Sequence, residues 1–168
     1  MLKKLLIAFC LLTVTQLPAA IGKDGKAVVK DNVTWQPVKF TSKDRDIRAQ
    51  FPGKVTAKDA AKKGKGTFIE SELGKTQYKM DIYKEEIPQE PVVALAIVHA
   101  EPNVKGWVLK NHPHKKCTYV IAYERKVKGK VNGVGRVYVT KNAAYNVSVL
   151  GDDLSLADQV FDSIKIKK

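Results

Sequence analysis

Apolar and polar residues alternate with period two along much of this chain, as in strands that bury one face. Ile47, Ala49 and Phe51 alternate with Arg48 and Gln50, and Pro52-Gly53 ends that run in a turn. Tyr78, Met80 and Ile82 alternate with Lys79 and Asp81 in the second arm of a hairpin, Phe68–Leu73 and Lys75–Lys84 about Gly74. A second pair, Arg136–Thr140 and Ala144–Leu150, surrounds Lys141-Asn142 and puts Tyr145, Val147 and Val149 on one face. Thr118–Tyr123 is apolar on both faces, which predicts a strand covered from both sides and central in its sheet. Val33–Phe40 is aromatic and β-branched, but Pro37 has no N–H to donate, so this run reads as an edge or bent strand. Trp107–Leu109 opens a further extended piece.

Two segments carry helical signals. Val92–Val98 is apolar throughout. Pro91 at a first turn with Ala94, Leu95 and Ala96 favours a helix, while Val92, Val93, Ile97 and Val98 favour a strand, and helix is the preferred reading. After Gly151, Asp152 or Asp153 can cap a helix with Leu156, Val160, Phe161 and Ile164 on its buried side. Val55–Lys65 is charged and small and reads as a mobile loop or a weak helical turn. No repeat or heptad interrupts the pattern. The expectation is one α+β domain over 33–168, a central antiparallel sheet flanked by helices, after a polar lead-in of little order at 21–32.

Residues 1–20 differ from the rest. Lys3 and Lys4 precede the apolar run Leu5–Leu12, and Leu17-Pro18-Ala19-Ala20 forms a small-residue exit, the layout of a secretory signal peptide. Cleavage near Ala19 or Ala20 would deliver the mature chain to the periplasm or the medium. The run is too short to span a bilayer, and no later stretch is long and apolar enough, so an integral membrane protein is not expected. Loss of Cys10 with the leader leaves Cys117 alone, so no internal disulfide can staple the mature fold.

Formal net charge is +13, carried mostly by lysines gathered at 58–65, 115–116, 125–130 and 165–168. Few arginines or aromatics interleave with them, which argues against nucleic acid. The two readings left are a solvated, solubilising surface and adhesion to an anionic polymer or headgroup surface.

The best chemical constellation is His112-Pro113-His114-Lys115-Lys116-Cys117, since two histidines and a thiol on an extended segment could converge on Zn or Cu. Lys115 and Lys116 would repel that cation, and the other reading is a polar turn entering a strand; His99 is the nearest candidate for a fourth ligand. No nucleophile elbow, phosphate loop or dinucleotide fingerprint is present. Glu70 with Glu72, and Glu85 with Glu86, pair carboxylates as a glycosidase would, but such pairs are common on strand faces. Asn32 and Asn146 head glycosylation-type triplets of the kind that arise by chance. The chain is expected not to be an enzyme.

Phe51-Pro52-Gly53, the Tyr78–Tyr83 strand, Arg136-Val137-Tyr138 followed by Tyr145–Val149, and the closing Ala157–Ile164 together resemble the PsbP-like family over about Trp35 to Ile166. The resemblance implies an α/β/α sandwich and an accessory or binding role, toward an unknown protein or envelope component, more than catalysis. It carries no invariant chemical motif and implies no functional residue here.

Overall fold

The computed structural model describes residues 28–30, 32–42, 45–59, 67–83 and 88–167. The expected signal peptide with its cleavage site at Ala19/Ala20, and most of the lysine-rich stretch 58–65, lie outside them. Within them the period-two runs become strands: β1 (Val28–Lys30), β2 (Val33–Ser42), β3 (Arg45–Pro52), β4 (Lys54–Asp59), β5 (Thr67–Leu73) and β6 (Thr76–Tyr83). Helix α1 (Pro91–Ala100) is followed by β7 (Val104–Val108), β8 (Tyr119–Val127), β9 (Lys130–Val139) and β10 (Ala144–Leu150), then α2 (Ala157–Asp162) and β11 (Lys165–Lys167).

Every pairing is antiparallel. A small sheet runs β1-β2-β3-β11 and a seven-stranded sheet runs β4-β5-β6-β10-β9-β8-β7. Alternation on β6 and β10 sends Tyr78, Met80, Ile82, Tyr145, Val147 and Val149 to one face of the large sheet. There they meet Trp35, Val38, Ile47, Ala49 and Phe51 of the small sheet and Val160, Phe161 and Ile164 of α2 and its exit. Side chains of this kind each contribute about 1.5–3 kcal/mol when fully buried. On the other face α1 places Ala94, Leu95 and Val98 on Tyr119, Ile121, Val139 and Ala144. The protein is therefore sheet-dominated, with two helices that pack into different core clusters, α2 into the main one and α1 into the smaller one.

Several details correct the expectations. The lead-in holds a strand, because β1 pairs Val28 with Trp35 and Lys30 with Val33. Val55–Lys65 does not begin as a loop: β4 pairs Lys54 with Glu72 and Asp59 with Thr67, so partnership with β5 makes a strand of a segment whose own residues favour none. Strand β8 is covered on both faces, yet it stands next to the edge strand β7 and the centre belongs to β10. Pro37 sits within β2 opposite Gln50 of β3. The neighbouring Gln50 N–H, past the end of β11, donates to Ser163 Oγ at 2.8 Å. Val92–Val98 is helical, within α1.

Candidate functional site

Along β9 the residues facing α2 are Val134, Arg136 and Tyr138, opposite Val149, Val147 and Tyr145 of β10. Alternation thus directs an arginine toward the interior side of the sheet. Its guanidinium carbon lies 4.5 Å from the centroid of the Phe161 ring on α2, a cation–π contact. Its ion-pair partner Asp158 Oδ1 is 3.9 Å away on an exposed side chain. A guanidinium this covered, with so loose a counter-ion, has donors to spare for an anion.

Arg136 forms part of the floor of an open groove of about 650 Å³ between the 113–116 turn and the α2–β11 segment. Among the described residues five cations line it, Lys115, Lys116, Arg136, Lys165 and Lys167, against one carboxylate, Asp162. The turn is closed by backbone bonds from Lys115 N to Pro113 O and from Cys117 N to His114 O, and β11 is held by pairing Lys165 with Arg48 and Lys167 with Asp46. Among the described residues no ion pair engages the four lysines.

His114 lies at this groove, its ring edge-on to Tyr138 with centroids 5.1 Å apart. Burial lowers its pKa below the usual 6.5, and the charges of His112 and Arg136 push the same way. The Tyr138 hydroxyl is buried without a hydrogen-bond partner of normal geometry. Burial raises its pKa strongly while Arg136 opposes the rise, so it is a neutral hydroxyl at any physiological pH.

A second lobe of about 290 Å³ shares Arg136 and Phe161 with the first as lining residues. Trp107, Leu109, Ala122 and Leu154 give it an apolar lining, and Glu124 and Asp158 add two carboxylates. Trp107 remains 40% exposed.

The residues expected to hold Zn or Cu, His112, His114 and Cys117, lie on the segment that leads into β8. His114 is engaged with Tyr138, His112 keeps Nδ1 buried without a partner, and Cys117 packs against the main core as a free thiol. Burial lifts the Cys117 pKa to about 11, which disfavours the thiolate that a metal needs. His99 Nε2 lies 3.0 Å from Gly106 O, on the α1 side of the sheet. Among the described residues no three His, Cys, Asp or Glu side chains are grouped so as to hold a metal. Of the carboxylate pairs, Glu70 stands opposite Lys79 and Glu72 Oε1 accepts a bond from Gln77 Nε2 at 3.0 Å, while Glu85 and Glu86 lie outside the described residues. Asn146 is occupied between the Tyr123 hydroxyl at 2.8 Å and Asp81 Oδ2 at 3.3 Å, on the face away from the groove.

The sequence reading had His114 and the lysines but not Arg136, Phe161 or Trp107. An arginine flanked at i±2 by Val134 and Tyr138 was the available signal, because it breaks the apolar side of an otherwise alternating strand.

The arrangement of strands and helices is a PsbP-like fold. The solution structure of cyanobacterial PsbP (CyanoP) from Synechocystis sp. PCC 6803 aligns with a TM-score of 0.51 over 89% of this chain and 98% of that chain, at 13% sequence identity. Agreement at that identity is one of fold. No protein-family model matches the sequence, and no curated protein matches it either.

Proposed function

We propose that this chain is an exported, non-catalytic accessory protein that captures an anionic ligand in the groove between the 113–116 turn and β11. The observation that carries the reading is the convergence of Lys115, Lys116, Arg136, Lys165 and Lys167 on one concave surface with one opposing carboxylate among the described residues. Like charges brought together raise one another's energy unless an anion joins them. Export rests on the Lys3/Lys4, Leu5–Leu12 and Ala19/Ala20 pattern. The finer description of the fold as an α/β/α sandwich rests on α1 and α2 packing into different core clusters. A binding role is supported by the groove; nothing in it pairs a nucleophile with a base.

Calorimetry with inorganic pyrophosphate tests the reading. Lys115→Glu/Lys116→Glu is expected to weaken binding by about tenfold or more, the worth of one charge-assisted hydrogen bond. Lys128→Glu/Lys130→Glu, at the far end of the β8–β9 hairpin, changes net charge equally and should leave the affinity within about twofold, since charges that distant are screened. Equal losses in the two variants would mean that total charge, and no site, attracts the anion.

A further inference from the structure

We infer that the ligand is an amphiphilic molecule with one anionic head, a phosphate monoester in chemical class, whose head sits among the lysines and whose aromatic or alkyl body crosses Arg136 into the Trp107 lobe. This inference rests on the anion-binding reading above and specifies its ligand.

Three observations carry it. The two lobes meet at Arg136 and Phe161, so a ligand held by the guanidinium in one is in contact with the wall of the other. Their linings differ in kind: the first is cationic, while Trp107, Leu109, Leu154 and Phe161 make the second apolar. A tryptophan left 40% exposed beside a cavity offers a large flat surface to a ring or chain. The charges then set the direction. Glu124 and Asp158 stand only at the second lobe, where a second phosphate would meet two carboxylates. A long polyanion threaded along the whole groove would be repelled at that end, whereas a single-headed ligand with a neutral body meets attraction at its head and no opposed charge beyond it. The larger lobe falls within the ~300–1,000 Å³ usual for small-molecule sites.

The full chain is titrated with inorganic phosphate, phenyl phosphate and phenol by calorimetry, with tryptophan emission as a second signal. Trp107 is exposed and Trp35 is buried in the core, so a ligand-dependent change reports on the second lobe. Phenyl phosphate is expected to bind about tenfold or more tightly than inorganic phosphate and to perturb the emission, and phenol alone to bind weakly. Trp107→Ala should bring phenyl phosphate down to the affinity of inorganic phosphate, which itself stays unchanged; Trp107→Leu serves if the alanine variant does not fold. Lys115→Glu/Lys116→Glu should weaken both. Equal affinities for phosphate and phenyl phosphate would overturn the inference and leave the anion site standing. Displacement of phenyl phosphate by long-chain polyphosphate at lower phosphate-equivalent concentration than by phosphate would also overturn it, in favour of a polymer. If no phosphate compound and no pyrophosphate binds, the anion site falls too.

Discussion

Replacing Gly53 with alanine should destabilise the protein far more than the loss of one hydrogen atom suggests. Gly53 is the single residue between β3 of the small sheet and β4 of the large one. Its φ is +79°, and a Cβ built there would lie 2.1 Å from the carbonyl oxygen of Glu72 and 3.0 Å from the carbonyl carbon. Both atoms are backbone of β5, paired to β4 through Glu72 and Lys54, so neither can swing aside as a side chain would. The left-handed conformation costs alanine about 1 kcal/mol. Relieving the overlap must open either the Lys54–Glu72 pairing or the bond from Gly53 N to Thr34 O at 2.9 Å, about 1 kcal/mol each with the packing they hold added. A total of at least about 2 kcal/mol follows, or roughly 6 °C in Tm at about 3 °C per kcal/mol for a domain of this size. Gly74→Ala is the control. Its φ is +62° but no atom lies within 4 Å of the new methyl, so only the backbone penalty, about 1 kcal/mol, applies. Urea and thermal unfolding followed by circular dichroism measure both. A Gly53→Ala variant no less stable than Gly74→Ala would refute the claim that close backbone approach at the joint between the sheets requires glycine.

Two further expectations concern the groove and its border. Cys117, raised from 9.0 to about 11 by burial, should hold about 100-fold less thiolate near pH 8 than an ordinary cysteine, so iodoacetamide should label the native protein far more slowly than the urea-unfolded chain; comparable rates would contradict the burial. His114 has a folded pKa below its unfolded 6.5, so the unfolded chain takes up the proton first and stability is lost as pH falls through the window just below 6.5, while above it the contribution is complete. Urea midpoints across that window should drop for the wild type and drop less for His114→Asn. Bound phosphate should flatten the loss, because an anion beside His114 favours the imidazolium.

Much of the architecture was legible in the sequence where partners are close along the chain. Gly74 and Lys141-Asn142 mark the β5–β6 and β9–β10 turns, and the flanking alternation sets which side chains share a face. Pro91 with a run of alanine and leucine outweighed the β-branched residues of α1. Strand β4 was hidden because its residues are small and charged, and its extension comes from β5 across residues 60–66. The site was hidden for the same reason on a larger scale. His114 drew attention as a possible ligand for Zn or Cu, but what surrounds it comes from Arg136 on β9, Phe161 on α2 and Lys165 and Lys167 on β11, and no local pattern brings these together.

The seating of β11 bears on when the groove comes into being. Ser163 Oγ takes the Gln50 N–H across a separation of 113 residues, and Lys165–Lys167 pair with Asp46–Arg48 over a comparable stretch. Contacts so remote close large loops, and closure entropy delays them relative to the local hairpins of the large sheet. The hairpins can therefore be complete while the basic wall is still unassembled, and a refolding chain should regain its sheet signal before its affinity for phosphate. An anion that bridges the lysines of β11 to those of the 115–116 turn would then act as a latch on that late step, holding the last strand against the turn that leads into β8.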